Sequence, residues 1–361
     1  MAGFLLICIS PPSTEMRTAF PLLRLPYLVL MPVLEQMEIT ERVSLSILSK
    51  RVRIYVKLLK MTCEHINVIL KDDRIEMKVF FENGEELRVL QYIDETQRSN
   101  FIYRHEHEMV FSWCPGSRLP VDYAVSIMDV THCKSINQFI IAEIFEHDCI
   151  PIVTKLPKID EVVVEHIWHP KFLTYEALRH KERILLRVLK TVLPVSSAVQ
   201  VNYPFQILQN LNYLREIFKE IFDAVSLKNY WGRTMPNCDM RFSLNDLRMT
   251  NVKSIEFLNP AFEVEDLNGY FKLWMKKKCN DRLEYLEVRS LNTSMDLLLK
   301  GLNAVPVPIE TKREFRFLGN VKQFSFEETT AEFDITRADG RQATIRIGTW
   351  NGLFLRLARI Y

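Results

Sequence analysis

The chain has 361 residues, and its 47 lysines and arginines against 45 aspartates and glutamates give a net charge of +2. This length allows two domains, or one large domain with a small module, and the near-neutral charge argues against a nucleic-acid-binding surface. The seven cysteines contain no C-x-x-C pair, as is typical of a reducing compartment. No segment approaches the roughly 18 apolar residues of a membrane span. Composition therefore predicts an intracellular protein, cytoplasmic or nuclear, with neither nucleic acid nor a membrane as partner.

Residues 1–19 are predicted to form a disordered or irregular tail. In the segment that follows, residues 20–62, apolar residues recur every three or four positions. This spacing predicts a helical hairpin followed by a third helix. About 40 residues bury too little surface to be stable alone. The broad apolar stripe therefore predicts docking, either on the rest of the chain or on another protein.

The order of residues in this segment resembles the F-box motif. Leu25-Pro26 comes first, Val33-Leu34 follows in the first helix, Leu45 lies in the second, and Ser49-Lys50-Arg51 forms the turn. The resemblance implies that residues 20–62 bind a Skp-type adaptor and, through it, a cullin. The adaptor-binding residues that it implies are Leu25, Pro26, Leu28, Leu30, Val33, Leu34, Val43, Leu45 and Leu48. Pro32 and Arg42 depart from the motif, which usually has a helix-forming polar residue and a leucine there.

The middle region, residues 63–204, alternates short apolar stretches with polar breaks, as strands do. The predicted strands are Ile66–Leu70, Ile75–Phe81, Leu87–Tyr92, Val121–Val130, Phe139–Phe145 and Val162–Ile167. Asn83-Gly84 predicts a tight turn between the second and third, and Tyr175–Val192 is a predicted helix. The fold class that follows is α+β, with a small N-terminal helical module before a mixed α/β body.

The last part of the chain, residues 205–361, has a repeating rhythm. Three segments share an apolar-x-x-apolar-x-apolar pattern: Met240–Leu247, Val252–Leu258 and Leu283–Leu291. Two predicted helices, Val264–Lys278 and Met295–Leu302, accompany them. Strand, helix and strand at intervals of roughly 25 to 35 residues resemble a degenerate leucine-rich-repeat arc. Because Leu267, Phe271 and Trp274 share a helical stripe, Trp274 is expected in the core.

A β-hairpin closes this region. Phe333 and Ile335 alternate toward Asp339-Gly340, and Ala343, Ile345 and Ile347 alternate away from it. Asp-Gly between alternating strands is a strong hairpin signal. Phe354–Tyr361 would add one further strand.

Short blocks along this region occur in an order that resembles the type 2 F-box-associated domain, FBA_2, of a large group of nematode F-box proteins. The blocks are Ser243–Leu247, Asp266–Trp274, Arg282–Leu286, Leu299–Leu302, Arg313–Phe315 and Ala338–Ile345. The resemblance implies a non-catalytic substrate-recognition subunit of an SCF-type cullin ubiquitin ligase, acting in the ubiquitin conjugation pathway and binding an unknown protein substrate. Pro32 and Arg42 leave an alternative open, a repeat-type interaction scaffold that has lost adaptor binding.

An enzymatic alternative, a metal hydrolase, would use the histidines of His105-Glu106-His107-Glu108 or the pair His166 and His169. Neither matches a full ligand signature such as H-E-x-x-H. Cys114-Pro115-Gly116 is a turn with no residue that marks the thiol as activated. No phosphate-binding G-x-x-x-x-G-K-[ST] motif occurs. The sequence thus predicts no catalytic residue, no metal site and no cofactor.

Overall fold

A computed structural model describes most of the chain from Leu25 onward. The described residues are 25–71, 74–92, 111–112, 120–143, 149–165, 175–201, 224–228, 244–258, 263–290, 294–309, 314–317, 320–323, 329–349 and 353–359. The chain forms two compact units, one of residues 1–162 with 174–196 and one of residues 163–173 with 197–361. The predicted division into four segments, 1–19, 20–62, 63–204 and 205–361, stays a prediction.

The first unit contains three N-terminal helices and a mixed sheet. Its helices are α1 (Tyr27–Gln36), α2 (Ile39–Leu48), α3 (Lys50–Leu58), α4 (Pro120–Thr131), α5 (Ile150–Val153) and α6 (Tyr175–Val192), the last followed by a 3-10 turn, Leu193–Val195. Its strands are β1 (Cys63–Leu70), β2 (Arg74–Phe81), β3 (Glu86–Tyr92), β4 (Phe111–Ser112), β5 (Ile136–Ile141) and β6 (Ile159–Val164).

The strand order in this unit is β6-β5-β1-β2-β3-β4. β2 pairs antiparallel with β1 and β3, whereas β1 with β5 and β3 with β4 are parallel. In β1 the side chains of Ile66, Val68 and Leu70 are buried, which is the period of two expected for a strand with one face on the core. The turn at Asn83-Gly84 is confirmed, since Gly84 has φ +82° and donates its N–H to the Phe81 carbonyl at 2.9 Å.

One predicted strand is wrong: Val121–Val130 lies in the helix α4. A strand would bury every second residue, but α4 buries Tyr123, Ile127 and Val130 at helical spacing while Val125 stays 50% exposed. The predicted helix Tyr175–Val192 is confirmed residue for residue as α6. The other predicted strands of this region correspond to β1, β2, β3, β5 and β6, and the ends of two of them, residues 144–145 and 166–167, lie outside the described residues.

The second unit alternates strands and helices before an antiparallel end. Its strands are β7 (Ser196–Val201), β8 (Ala224–Lys228), β9 (Ser254–Leu258), β10 (Tyr285–Ser290), β11 (Val305–Val307), β12 (Glu314–Phe317), β13 (Asn320–Gln323), β14 (Thr329–Thr336), β15 (Gln342–Thr349) and β16 (Leu353–Arg359). Its helices are α7 (Leu244–Met249), α8 (Val264–Met275) and α9 (Met295–Leu299). The order in the larger sheet is β11-β14-β15-β16-β10-β9-β8-β7, and β12 with β13 forms a separate antiparallel pair.

The repeat-like part is built from parallel strands joined by helices. β7 to β10 are parallel neighbours, α7 lies between β8 and β9 in the chain, and α8 lies between β9 and β10. The first of the three predicted copies is wrong as a strand where the structure describes it, because Leu244–Leu247 belongs to α7, in which Leu247 is buried. Residues 240–243 of this copy lie outside the described residues. Trp274 is confirmed in the core, with 1% of its surface exposed.

The closing hairpin is confirmed. Thr336 pairs with Gln342 across a five-residue turn, and Gly340 has the positive φ of +85° that glycine adopts without strain. β16 then pairs antiparallel with both β15 and β10, which joins the hairpin to the parallel strands.

Candidate functional site

The helix α1 has apolar side chains on both its inner and its outer side. Leu30 and Leu34 point inward and are fully buried. On the outer side Leu28 is 83% exposed, Val29 49% and Val33 37%. A helix that is apolar all round is normally buried all round, so the outer side of α1 is a surface that a second molecule would cover. We call Leu28, Val29, Pro32 and Val33 the outer face of α1.

The nine predicted adaptor-binding residues divide into three groups by exposure. Pro26, Leu28 and Val33 are exposed, Leu25 and Leu45 are half-buried, and Leu30, Leu34 and Val43 are buried. Of Leu48 the structure describes the backbone, at the end of α2. The helix therefore brings only part of the predicted set to the surface. The buried members hold α1 and α2 in place beneath it.

Pro26 begins α1 by accepting backbone hydrogen bonds. Its carbonyl accepts from the N–H groups of Val29 and Leu30, at 3.0 and 2.9 Å. Proline suits a helix start because its φ is fixed near the helical value. Pro32, in contrast, lies inside the helix and leaves the carbonyl of Leu28 without its usual i+4 donor. Since α1 continues to Gln36, the proline does not end the helix.

Arg42, the second departure from the F-box pattern, ties the end of α1 to α2. Its Nε donates to the Met37 carbonyl at 2.8 Å and its Nη2 to the Glu35 carbonyl at 2.7 Å. The last carbonyls of a helix have no partner within that helix, and a cation is favourable at this negative end of the helix dipole. Arg42 therefore stabilises the α1–α2 hairpin by hydrogen bonds, whereas a leucine at this position would stabilise it by apolar packing.

Two further exposed apolar residues lie on α3, which the predicted set did not include. Ile54 is 64% exposed and Leu58 55%, four residues apart on one side of the helix. The ring of Tyr55, next to Ile54 in the chain, lies 5.8 Å from that of Tyr27 at the start of α1. The only sequence signal for them is their spacing within an otherwise basic helix.

Two of the three F-box helices lie against α4 of the same unit. Both α2 and α3 pack on α4, and Lys57 of α3 forms an ion pair with Asp129 of α4. Val43, Ile47, Val52 and Val56 supply the buried side of α2 and α3. The helical module is therefore anchored from behind while the outer face of α1 stays open.

Two segments of the chain match known protein families. Residues 22–64 match the family model of the F-box domain, and residues 213–288 match that of FBA_2, F-box associated. The chain carries an F-box and an F-box-associated domain. No curated protein and no solved structure matches the chain. The F-box match covers α1 to α3, and the FBA_2 match covers β8 to β9 and most of β10, including α7 and α8.

These two domains are typical of substrate-recognition subunits of SCF-type ubiquitin ligases. F-box domains typically bind a Skp-type adaptor and thereby a cullin. A non-catalytic receptor role fits both domains. The outer face of α1 lies within the F-box.

The FBA_2-containing unit buries charged side chains in its sheet. Glu332 of β14 and Arg346 of β15 face each other across the hairpin, with Arg346 Nη2 2.6 Å from Glu332 Oε1 and at most 1% of either side chain exposed. Continuing the same register leads to Glu287 of β10 and Glu256 of β9. Arg356 of β16 lies between Arg346 and Glu287 in this register, so one rung of the sheet carries charged residues on five strands.

The candidate metal and thiol sites of the sequence lie in segments that the structure does not describe. His105-Glu106-His107-Glu108, the pair His166 and His169, and Cys114 lie outside the described residues. Within the described ranges no three histidine, cysteine, aspartate or glutamate side chains are grouped closely enough to hold a metal ion. None of the described helices combines the length and the apolar character needed to cross a bilayer.

Proposed function

We propose that this protein is the substrate-recognition subunit of an SCF-type ubiquitin ligase. Its F-box binds a Skp-type adaptor through the outer face of α1, and its second unit binds the target protein. The protein acts inside the cell, in the cytoplasm, the nucleus or both. The observation that carries the proposal is the exposed apolar side of α1 inside the segment that matches the F-box family.

The outer face has enough apolar surface to contribute to a specific complex. Fully burying a leucine or valine side chain stabilises a complex by roughly 1.5–3 kcal/mol relative to leaving it exposed. Leu28 and Val33, five residues apart in the chain, lie on the exposed side of the helix with Pro32. A few such side chains usually carry most of the binding free energy of an interface.

We assign different roles to the exposed and the buried members of the predicted set. Pro26, Leu28 and Val33 contact the adaptor, and the half-buried Leu25 and Leu45 lie at the margin of that contact. Leu30, Leu34 and Val43 act indirectly, because they are buried in the free chain and fix the position of α1. For Leu48 we propose the margin as well.

The protein performs no bond chemistry in this role. Holding a target on the same complex as the charged ubiquitin carrier raises the local concentration of target lysines, which for a linked pair reaches the order of millimolar. The second unit supplies the target-binding surface in this proposal, in accordance with its FBA_2 match.

The alternative is an interaction scaffold that has lost adaptor binding through Pro32 and Arg42. The hydrogen bonds of Arg42 to the Glu35 and Met37 carbonyls give this residue a fold-stabilising role, and Pro32 is accommodated within α1. Both observations favour an intact adaptor face over the scaffold.

The decisive experiment is a titration of the purified full chain with a purified Skp-type adaptor by isothermal calorimetry. We expect the wild-type chain to bind the adaptor and the Leu28→Asp/Val33→Asp double variant to bind it about 100-fold or more weakly. A loss of about 1.4 kcal/mol of binding free energy at each of the two positions, tenfold in affinity each, gives this factor. Val125→Asp on α4 is the matched control, since Val125 is also a half-exposed valine of the same unit. Absence of wild-type binding, or equal loss in the control, would contradict the adaptor assignment and favour the scaffold.

A second experiment addresses the target-binding half. The proteins bound to wild type in cells are compared with those bound to Leu28→Asp/Val33→Asp. Proteins that the double variant still binds are cross-linked to it, and the cross-linked sites on this chain are mapped by mass spectrometry. We expect a retained protein to cross-link to the second unit, residues 197–361. Cross-links confined to residues 1–162 would contradict the assignment of target binding to that unit.

A further inference from the structure

Three segments of the second unit meet at one end of its strands. They are residues 248–253 before β9, residues 276–284 between α8 and β10, and residues 337–341 in the turn between β14 and β15. The first two are joined by the N–H of Glu284, which donates to the Lys253 carbonyl at 2.7 Å. The second and third are joined by Arg341, whose Nη1 donates to the Asp281 carbonyl at 2.9 Å. The three segments therefore form one continuous surface.

Positive charge is concentrated on this surface. Its three segments contain eight lysines and arginines against three aspartates and glutamates, whereas the net charge of the whole chain is only +2. The consecutive lysines 276–278 are all exposed, and so is Arg248. Helix ends favour nearby cations, but Arg282 and Arg341 lie outside every described helix. Helix dipoles thus do not account for the surplus, and we call the three segments the basic surface.

One buried arginine pairs with two of the three carboxylates of the basic surface. The side chain of Arg337 is 1% exposed, its Nη1 lies 3.0 Å from Asp281 Oδ1, and its Nη2 lies 2.6 Å from Asp339 Oδ2. The Arg337 guanidinium also lies over the Trp274 ring, 5.5 Å from its centroid. Lys277 approaches Asp339 only to 3.9 Å. The exposed cations that have no acidic partner in the described part of the chain are Lys276, Lys278 and Arg248.

We propose that the basic surface binds an acidic segment, rich in aspartate and glutamate, of the target protein. The inference rests on the proposed target-binding role of the second unit, and it names the chemistry of the target. Complementary charge of this kind speeds association and rejects wrong partners. A protein segment fits better than a single-stranded nucleic acid, because no residue of the basic surface is aromatic and none offers a ring on which a base could stack.

The width of the basic surface sets the length of the acidic segment. The surface extends from the turn between β14 and β15 to the start of β9, and the strand order is β14-β15-β16-β10-β9. Four strand spacings of about 4.8 Å give a width of about 19 Å. An extended peptide advances about 3.3 Å per residue, so about six residues span this surface.

The test is a fluorescence-anisotropy titration of the purified full chain into a fluorescein-labelled peptide of about six glutamates flanked by glycines. The same peptide with glutamines and an oligothymidylate of equal length are the two comparison probes. We expect the glutamate peptide to bind, and to bind more weakly as salt is added because salt screens exposed charges. No binding of the glutamate peptide, equal binding of the glutamine peptide, or tighter binding of the oligothymidylate would overturn the proposal.

A glycine at position 277 removes one charge without disturbing the fold. Lys277 follows the C-terminal residue of α8 at φ +57°, a conformation that glycine adopts without strain. Lys277→Gly should therefore keep or raise the urea midpoint and weaken peptide binding by about threefold, the size of one exposed ion pair. Lys60→Gly is the matched control, since Lys60 is an exposed lysine at φ +49° in the same position after α3. Equal weakening by this control would contradict the assignment.

Charge reversal gives the larger effect. Lys276→Glu/Lys278→Glu should weaken binding of the glutamate peptide by about tenfold or more, because two attractions become repulsions. Both side chains are exposed, so circular dichroism should show an unchanged fold. Peptide affinity unchanged in this folded variant would refute the basic surface as the binding site.

Carbodiimide coupling locates the bound peptide, since it joins glutamate carboxylates to lysine amines in direct contact. Mass spectrometry should find the couplings at lysines 276–278, and couplings confined to the first unit would overturn the proposal. Adaptor titration of Lys276→Glu/Lys278→Glu should match wild type. Failed peptide binding with intact adaptor binding refutes the acidic target alone, whereas failed adaptor binding with intact peptide binding refutes the adaptor assignment alone.

Discussion

The two units of this protein depart from the usual distribution of polar and apolar residues in opposite directions. The first unit exposes Leu28, Val29 and Val33 on α1, side chains that a self-sufficient fold would bury. The second unit buries Glu332 and Arg346 in the β14–β15 hairpin, side chains that a fold would ordinarily expose.

The difference separates surfaces that await a partner from interiors that are already complete. Exposed apolar side chains do not stabilise the free chain. They stabilise a complex in which another molecule covers them, because their apolar surface is then removed from water. A buried ion pair already has its partner, and its charges must stay paired because an uncompensated buried charge is very costly. Substitutions should therefore act on binding in the first region and on stability in the second.

The largest effect on stability is expected at the buried ion pair. Arg346→Met leaves the Glu332 carboxylate without its counter-ion and should lower the free energy of unfolding by about 3–5 kcal/mol, measured by urea denaturation. The Glu332→Leu/Arg346→Met double variant removes both charges and should recover most of that loss. A single variant that loses less than about 1 kcal/mol would contradict the role of the pair.

A matched pair of leucines on α1 tests the division between inner and outer positions. Leu34→Ala should lower the free energy of unfolding of the first unit by about 2–5 kcal/mol, because the side chain is fully buried. Leu28→Ala should change it by less than about 0.5 kcal/mol and weaken adaptor binding instead. Urea denaturation and calorimetric titration measure the two quantities, and equal destabilisation by both changes would remove the distinction.

Pro32 offers a gain in stability. Alanine at this position restores the N–H that the Leu28 carbonyl lacks, so Pro32→Ala should raise the free energy of unfolding by about 1–3 kcal/mol. Pro151, in the first turn of α5, is the control, since proline is well tolerated there and Pro151→Ala should be nearly neutral. Adaptor binding that appears only in Pro32→Ala would favour the scaffold alternative for the natural chain.

The smallest effect is expected at the exposed ion pair between α3 and α4. Lys57 and Asp129 keep 47% and 40% of their side chains exposed, so solvent screens their attraction. Lys57→Ala should cost roughly 0.2–1 kcal/mol, less as salt is added. A double-mutant cycle with Asp129→Asn isolates the pair, and a coupling energy near that of the buried pair would contradict the screening argument.

Local patterns predicted much of the fold. The alternation in β1 to β3, the Asn83-Gly84 turn, the Asp339-Gly340 hairpin and the helix α6 all follow from signals within a few residues. Val121–Val130 failed because a short apolar run supports helix and strand equally well when its polar positions are few. The predicted strand Met240–Leu247 was wrong in its described part because Leu244 and Leu247 are three residues apart, a spacing that puts both on one side of a helix but on opposite faces of a strand.

The candidate site was only partly predictable. The order of the motif residues located the F-box in the sequence. Because α1 is apolar all round, however, nothing in its sequence shows that Leu28 is exposed and Leu30 is buried. That distinction arises from the packing of α1 within the first unit. The burial of Glu332 and Arg346 could not be predicted from the sequence either. Each is next to an apolar residue, Phe333 or Ile345, so the strand alternation assigns both charged side chains to the opposite face of the sheet. It does not indicate what covers that face.

The packing of α2 and α3 on α4 has a consequence during protein synthesis. The helices of the F-box are complete at Leu58, whereas α4 ends at Thr131, 73 residues later in the chain. At a synthesis rate of roughly 5–20 residues per second, α4 is finished about 4–15 seconds after α3. During that interval the apolar faces of α2 and α3 lack α4, and the nascent chain presents more apolar surface than the finished protein does. The F-box of this protein is thus supported by a helix, α4, that the ribosome makes well after the F-box itself, and premature termination before residue 120 would leave the F-box without this support.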